Sequence, residues 1–305
     1  MRKALIIFFC LPIIGLSQQS RGYEKRPLNV PIGITNKNNP VVIQNVPPFL
    51  WHRGCGPTAL GMIVGYYDLQ SYDNLFPDSS LDQSNEINLL IASEEHYSDY
   101  SRPKDYYPDL IQDLSELGNP HQSNSIADFM NTSKSINGNY WGWSWSSDIG
   151  TAFEQYVEFR DPSYITNTEY EYFSSDSWNE YKAEIDNNRP VIILVDTDAD
   201  GETDHFVVGI GYDDINQEYA CYDTWDSNIH WYEWQEINNG VYWGVYGFNK
   251  FQIEKTVSSC GNIYKEFKGG YQVVDALGRK AQAPKNKLLF YIYDNGEVQK
   301  RIIVE

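Results

Sequence analysis

The chain has 305 residues, 41% of them hydrophobic and 15% aromatic, and carries a formal net charge of −19. This length allows one domain with a sizeable core and a smaller appended module. The acidic charge excludes electrostatic binding of nucleic acid or anionic lipid, because both need a basic surface. Solubility outside the cell is the simplest interpretation of the charge, and a preference for basic substrates is the alternative.

The first predicted element is an apolar run from Ala4 to Leu16, which follows Arg2 and Lys3 and ends in small and polar residues. This is the pattern of a secretory signal peptide over residues 1–17, with cleavage near Ser17. The run is too short to span a bilayer, and no other segment approaches that length. We therefore expect a secreted or cell-surface protein without a membrane span in its mature chain.

Residues 18–40 are polar and predict a loose N-terminal lead, with a short propeptide as one interpretation.

The next element is the string WHRGCGPTALGMIVGYYD, in which a turn becomes a helix at Cys55. Gly54 and Gly56 let the backbone turn tightly, Pro57 suits the start of a helix, and apolar residues follow at helical spacing. A thiol at the start of a helix lies at the positive end of its dipole, where the thiolate is favoured. Cys55 is therefore a candidate nucleophile.

A second helix is predicted around residues 107–117, and a tryptophan-rich stretch follows it. Trp141, Trp143 and Trp145 alternate and would share one face of an extended strand. Such rows most often pack on the domain's own core, and the alternative is a surface that binds sugar rings or a peptide.

An acidic turn separates the predicted strands PVIILVD and HFVVGIGY. Asp196, Asp198 and Asp200 alternate before Gly201, as in the first part of a calcium loop. The closing glutamate of an EF-hand is missing, because Val207 occupies its place. A structural calcium ion is thus one interpretation, and a solvated hairpin turn is the other.

His205 opens the strand after this turn, and Asp223 lies in the next one, EYACYDTW. An early cysteine with a later histidine and carboxylate is what thiol acyl transfer requires. Each residue also has an ordinary structural interpretation as a buried or hydrogen-bonded group. The remaining histidines lack comparable context and are interpreted as structural or surface residues: His52, His96, His121 and His230.

Together these strings resemble the papain-like peptidases of the C39-like group, over most of residues 40–250. The resemblance implies an α+β papain-like fold, with N-terminal helices and an antiparallel sheet, in a peptidase domain over residues 41–255. It further implies that Cys55 is the nucleophile, His205 the general base and acid, and Asp223 the residue that orients the histidine. Peptides or proteins would be the substrates, and no organic cofactor is required.

One position departs from the family pattern. Related enzymes carry a glutamine about six residues before the cysteine to help hold the oxyanion, and Phe49 occupies that place here. Hydrogen bonds to the oxyanion are often a large part of catalysis. The Cys55 N–H supplies one donor, and Trp51, His52 or Gln44 would have to supply the other.

The C-terminal residues, 262–305, predict a small β module. The strings VVDALGRK and FYIYDNGEVQKRIIV resemble the sorting domains that direct proteins through the type IX secretion system, whose machinery would then be a partner. Without that resemblance the tail is interpreted as an accessory β hairpin.

Beyond the signal peptide, Cys221 and Cys260 accompany Cys55. They predict either one disulfide that leaves Cys55 unpaired or two buried thiols.

The sequence therefore predicts a secreted cysteine peptidase that works through a Cys–His–Asp triad and a thioester. The nearest alternative is a related thiol acyltransferase, such as a transglutaminase-like or streptopain-like protein. A non-catalytic adhesin or glycan-binding protein on the same scaffold is the alternative from another class.

Overall fold

A computed structural model describes residues 23–100, 121–255, 271–275, 278–281, 288–293 and 298–302, with short gaps at 36, 38–39, 78, 135–136 and 140. The expected signal peptide, the helix predicted around 107–117 and Cys260 lie outside the described residues. Contacts divide the chain into two units, Met1–Thr256 and Val257–Glu305. Within the described ranges, no helix combines the length and apolar character needed to cross a membrane.

The larger unit contains six helices among the described residues, and all but the last precede the main strands of the sheet. They are α1 (Cys55–Leu69), α2 (Asn85–Ile91), α3 (Glu94–Tyr100), α4 (Ile126–Phe129), α5 (Ser146–Arg160) and α6 (Ser177–Asp186).

The sheet is built mostly from the second half. Its strands are β1 (Val41–Val42), β2 (Tyr164–Tyr172), β3 (Val191–Asp196), β4 (His205–Asp213), β5 (Glu218–Tyr222), β6 (His230–Glu233) and β7 (Gly244–Lys255). They pair in the order β2-β7-β3-β4-β5-β6, with β1 added to β4, and neighbouring strands are antiparallel.

The core lies between α1 and the centre of this sheet. α1 is buried at every position from Cys55 to Tyr67 and packs on β3 and β4. Every residue of β3 is buried, as are the first seven of β4. A strand that is covered on both faces has no polar side to alternate, which explains its unbroken apolar sequence.

A second, smaller sheet forms the C-terminal unit. Strands β8 (Tyr271–Asp275), β9 (Leu288–Tyr293) and β10 (Val298–Ile302) pair antiparallel in the order β10-β9-β8. Val274, Leu289 and Tyr291 are its buried residues among those described. The predicted α+β papain-like fold followed by a small β module is therefore confirmed.

The N-terminal lead differs from expectation over residues 23–34, which we call the N-terminal segment. Val30 is buried in the core of the larger unit. The Trp231 N–H donates to the Ile34 carbonyl at 3.1 Å, which adds a bridge at the β6 edge of the sheet. The prediction of a loose lead is wrong for this segment, because tertiary contacts outweigh its polar composition.

The tryptophan row does not form one face of a strand. The backbone turns at Trp141 and Gly142, where φ is 73°. The Trp141 ring lies 5.7 Å from the Tyr97 ring and 6.4 Å from the Trp51 ring, centroid to centroid. Trp145 instead donates its indole N–H to the Asn137 carbonyl. Packing within the domain is thus the better interpretation of Trp141.

Gly54, immediately before α1, has a φ of 153° and a ψ of 140°, a backbone conformation that is essentially restricted to glycine. A Cβ at this position would lie 2.9 Å from the Pro57 ring. We expect Gly54→Ala to lower the free energy of unfolding by more than the ~1–3 kcal/mol of backbone strain alone, because the clash adds to it. Urea unfolding of the purified protein measures this.

Gly240→Ala is the matched control. Gly240 also has a positive φ, of 87°, but a Cβ there would meet nothing within 4 Å. It therefore reports backbone strain without a clash. Equal losses in the two variants would contradict the packing argument for Gly54.

Candidate functional site

Cys55 is the first residue of α1 and is fully buried. The Gly54 carbonyl accepts hydrogen bonds from the Thr58 N–H at 3.2 Å and from the Thr58 hydroxyl at 2.6 Å, which fixes the first turn. That turn contains no acidic residue. The positive end of the helix dipole therefore acts on the Cys55 thiol without a competing carboxylate in the turn.

His205 is fully buried and held from two sides. Its Nε2 lies 2.7 Å from the main-chain carbonyl oxygen of Asp223, and its ring stacks on Trp225 with centroids 3.9 Å apart and planes 10° apart. A carbonyl only accepts, so Nε2 carries the proton and Nδ1 is the basic atom of the neutral ring. Nδ1 is buried and has no hydrogen-bond partner among the described residues.

The charge state of His205 follows from its surroundings. Burial lowers its pKa to about 3; the bond to the Asp223 carbonyl opposes this change, and the positive charge of Arg26 adds to it. The imidazole is therefore neutral near pH 7, with an unprotonated Nδ1. That is the state a general base needs before it accepts a proton.

Asp223 contacts the histidine in a different way from the one the resemblance implies. Its carboxylate binds other groups: Oδ2 lies 2.5 Å from Arg26 Nη2, and Oδ1 accepts the Trp225 N–H at 3.0 Å. Burial raises the pKa of Asp223, and the charge of Arg26 opposes that rise. The carboxylate is therefore part of a buried ion pair, while the main-chain carbonyl makes the contact to the ring.

The segments that carry the three predicted residues are joined directly. The Trp51 N–H donates to the Thr224 carbonyl at 2.7 Å, which ties the approach to Cys55 to the residue after Asp223. α1 itself packs on β4, the strand that His205 opens. The helix that Cys55 begins thus packs on the strand that His205 opens, and the Asp223 carbonyl contacts His205.

The three predicted oxyanion donors differ in what they already bind. The Gln44 side-chain amide is exposed and donates to the Val42 carbonyl. The His52 N–H donates to the Thr58 hydroxyl, and His52 Nε2 lies 3.4 Å from the Ala92 carbonyl. The Trp51 indole N–H is buried and has no partner among the described residues. Of the three candidates, Trp51 has the donor that is not engaged.

The acidic turn is organised by Asp196. Its Oδ1 accepts the N–H groups of Asp198 and Ala199, at 3.2 and 2.8 Å, and its Oδ2 accepts the Gly201 N–H at 2.7 Å. Burial raises the pKa of this carboxyl, and the bonds from Gly201 and Ala199 oppose the rise. The turn is therefore closed by its own side chain, as in ordinary Asp-containing turns.

The predicted calcium ligands do not all converge. Carboxylate oxygens of Asp196, Asp198 and Asp204 lie within 4.8 Å of one another, whereas Asp200 accepts the Glu202 N–H at 2.9 Å. Burial raises the pKa of Asp204 to about 7. Asp204 thus joins Asp196 and Asp198 where the sequence pattern predicted Asp200, because its N–H donates to the Val195 carbonyl and its carboxylate accepts from Thr197.

Sequence reasoning missed a second cluster, around Asp128. Its Oδ1 lies 2.7 Å from His96 Nδ1 and 2.9 Å from His121 Nε2, and His121 Nδ1 lies 2.6 Å from Asp99 Oδ2. Burial opposes ionisation of Asp128, but the hydrogen bonds from His121 and His96 hold its pKa well below the usual range. Two imidazoles and a carboxylate are a ligand set that suits zinc. No local pattern in the sequence marks this cluster, since its members come from separate segments.

A third cluster lies beside His205. His230 Nε2 is 2.9 Å from Asp226 Oδ1 and 3.5 Å from Asp223 Oδ2, and the guanidinium of Arg26 contacts both carboxylates. The sequence drew attention to YDTW for Asp223 alone. Neither Arg26 nor the ring contact of Trp225 carried a sequence signal, because their partners are far away in the chain.

No curated protein matches the chain. The model of the Peptidase_C39 like family matches residues 40–251, a range that begins just before β1, ends within β7 and includes Cys55, His205 and Asp223. The match covers well over half of the chain and the whole contact between α1 and β4. The chain therefore belongs to the C39-like peptidase family.

Proposed function

We propose that this protein is a cysteine peptidase in which Cys55 attacks a peptide carbonyl and His205 transfers the proton. One observation carries the proposal. A buried, neutral His205 donates from Nε2 to the Asp223 carbonyl, which leaves Nδ1 as its basic atom, and it opens the strand on which the Cys55 helix packs. Both features support the pairing of a thiol nucleophile with its base.

The chemistry follows from these positions. Nδ1 of His205 takes the Sγ proton, and the thiolate attacks the carbonyl carbon to give a tetrahedral oxyanion. Collapse of this intermediate breaks the C–N bond, and the proton passes from Nδ1 to the leaving amine. Water, deprotonated by the same nitrogen, then hydrolyses the thioester. Each proton that leaves a nucleophile reaches a leaving group, and no organic cofactor is needed.

Two hydrogen bonds would stabilise the oxyanion. The Cys55 N–H is one donor, because Cys55 begins α1 and the positive end of the helix dipole favours a nearby oxyanion. We assign the second to the Trp51 indole N–H, which is buried and unpartnered among the described residues. A buried donor that is paired only in the tetrahedral state stabilises the transition state more than the ground state.

The two alternatives differ from this proposal in testable ways. A related acyltransferase would pass the thioester to an amine instead of water. A non-catalytic adhesin would not need a reactive thiol, and the packed position of Trp141 removes part of its proposed binding face. Iodoacetamide labelling of Cys55 near pH 6 separates a low-pKa nucleophile from an inert buried thiol.

The acidic turn is the proposed site of a structural calcium ion. The clustered carboxylate oxygens of Asp196, Asp198 and Asp204 repel one another when ionised, and a divalent cation would relieve that repulsion. The ion would order the residues that lead into His205 without taking part in bond cleavage.

The tail is the proposed export signal. Its three strands form a separate unit from the helices and sheet around Cys55. Together with the expected N-terminal signal peptide, it would direct the protein through the type IX secretion system to the cell surface or medium. Catalysis would not depend on it.

We expect Cys55→Ala and His205→Ala each to abolish hydrolysis of a peptide library while the far-UV circular dichroism spectrum stays native. The double variant should lose no more than either single one, because the nucleophile and its base act as a unit. Activity retained by either purified single variant would overturn the mechanism.

Asp223 provides the internal comparison. The contact to His205 comes from its main-chain carbonyl, which every substitution keeps. Asp223→Asn and Asp223→Ala should therefore reduce kcat less than His205→Ala does. An equal or greater loss in a folded Asp223→Asn protein would show that the carboxylate itself is needed.

For calcium, we expect millimolar Ca²⁺ to raise the melting temperature of the protein and EDTA to lower it, because an ion bound only to the folded state stabilises it by mass action. Asp198→Asn should abolish this response. Asp200→Asn should keep it, since Asp200 caps the Glu202 N–H. If neither Ca²⁺ nor EDTA changes the melting temperature and elemental analysis finds no metal, the turn is an ordinary solvated hairpin turn.

For the tail, a chain that ends at Cys260 should cleave peptides at the rate of the full mature chain. In a host with the secretion system it should accumulate in the periplasm, whereas the full chain reaches the medium. Immunoblots of the two fractions measure this. Efficient secretion of the shortened chain would refute the sorting role.

A further inference from the structure

Three tryptophans hold the N-terminal segment in place. Trp225 donates its indole N–H to the Tyr23 carbonyl at 3.1 Å, and Trp243 donates to the Pro31 carbonyl at 2.8 Å. Trp141 donates to the Glu24 carboxylate at 3.0 Å. Two of these acceptors are main-chain carbonyls, which every peptide carries. The surface that binds this segment therefore suits a peptide main chain of other sequence as well.

One side chain of the segment enters a charged aromatic pocket. Arg26 Nη2 lies 2.5 Å from Asp223 Oδ2 and 3.4 Å from Asp226 Oδ2. The guanidinium carbon lies 5.1 Å from the ring centre of Trp225 and 5.9 Å from that of Trp243. Tyr232 completes the enclosure, with its hydroxyl 3.5 Å from Arg26 Nη1. We call this the guanidinium pocket: Asp223, Asp226, Trp225, Trp243 and Tyr232.

A cation stabilises the ionised carboxylates of the pocket, which His230 also contacts, at 2.9 Å from Asp226 Oδ1 and 3.5 Å from Asp223 Oδ2. The Asp223 side chain is fully buried, and a buried carboxylate is costly unless an opposite charge pairs with it. Trp243 stacks on Tyr232 with ring centres 3.9 Å apart, so two of the aromatic walls pack on each other. A planar guanidinium both pairs with carboxylates and stacks on aromatic faces, which an ammonium group does less well.

The same residues border the proposed catalytic base. Asp223 gives its carbonyl to His205 Nε2, and Trp225 stacks on the His205 ring. Asp223 and Trp225 therefore contact both a guanidinium in the pocket and the ring that would transfer the proton. A side chain bound there would belong to a peptide that lies across the catalytic residues.

We propose that the guanidinium pocket is a subsite for an arginine side chain of the peptide substrate, and that Arg26 occupies it in cis, so that the N-terminal segment competes with substrate. That the ligand is a substrate rests on the proposed peptidase function, whereas binding of an arginine peptide does not. The net charge of −19 agrees with a basic ligand, because an acidic surface attracts cationic peptides and speeds their association.

The test is peptide binding in the full mature chain, with Cys55→Ala present to prevent turnover. Three peptides that differ at a single position, as arginine, lysine or norleucine, are titrated by calorimetry. Arg26→Ala empties the pocket, and Lys25→Ala is the control, since Lys25 is the exposed neighbour and carries the same charge. We expect at least tenfold tighter binding of the arginine peptide to the Arg26→Ala protein than to the Lys25→Ala protein. We also expect a tenfold preference for arginine over norleucine.

A second variant guards against loss of folding. Arg26→Gln keeps hydrogen-bonding capacity beside Asp223 without the charge, and the arginine peptide should raise its melting temperature more than the norleucine peptide does. Adding Asp226→Asn should weaken arginine binding. Equal affinities for the three peptides, or equal affinities of the Arg26 and Lys25 variants, would overturn the proposal.

The same variants with Cys55 restored separate the two proposals. Faster cleavage of the arginine peptide by Arg26→Gln than by Lys25→Ala supports both. Arginine-selective binding without any cleavage would refute the peptidase function and keep the subsite. Equal cleavage rates for the arginine, lysine and norleucine peptides would refute the subsite and keep the peptidase function.

Discussion

The hydrogen bond from His205 to the main-chain carbonyl of Asp223 is the interaction on which the rest of the site depends. A carbonyl cannot donate, so this bond alone decides which ring nitrogen carries the proton and which one is basic. In the proposed mechanism, the carboxylate of Asp223 therefore does not have to orient the ring. That carboxylate is then available to pair with Arg26, and the pair ties the N-terminal segment to the site.

Burial makes this arrangement consequential. His205 and the Asp223 side chain are both fully buried. A charge on either side chain is therefore stable only beside an opposite charge or a hydrogen-bond partner. Removing one member of a fully buried ion pair costs about 3–5 kcal/mol, and the cost here is smaller because the Arg26 side chain is 13% exposed. The same charge that stabilises Asp223 disfavours protonation of His205. Stability of the segment and basicity of the histidine are thus coupled through one guanidinium.

Local pattern was enough to predict the elements that carry the site. The glycines around Cys55 and the apolar spacing after it predict α1, and the two apolar runs around the acidic turn predict β3 and β4. These signals are local, because a helix or a buried strand is decided by its own residues and their period. The family resemblance then supplied the order of the candidate catalytic residues, which the match over residues 40–251 supports at the level of the family.

What the sequence did not predict depends on contacts between distant segments. The pairing of Arg26 with Asp223 spans almost 200 residues, and the polar composition of the lead gives no sign of it. The exchange of Asp204 for Asp200 depends on how the turn folds back, with Asp204 bonded to Thr197, and spacing alone does not encode this. The carbonyl contact of Asp223 is likewise invisible, because every residue has a carbonyl and only the fold decides which one meets the ring.

The N-terminal segment therefore acts on the site in two opposed ways. Arg26 neutralises a buried carboxylate that would otherwise destabilise the folded chain, and it fills the pocket that an incoming arginine would need. A ligand that carries its own guanidinium replaces the charge it displaces, so the ion pair is exchanged and not lost. Its apparent affinity is then its intrinsic affinity multiplied by the fraction of molecules in which the segment is displaced. A neutral ligand recovers nothing for the broken pair, and the cis contact thus becomes a source of selectivity for cationic peptides.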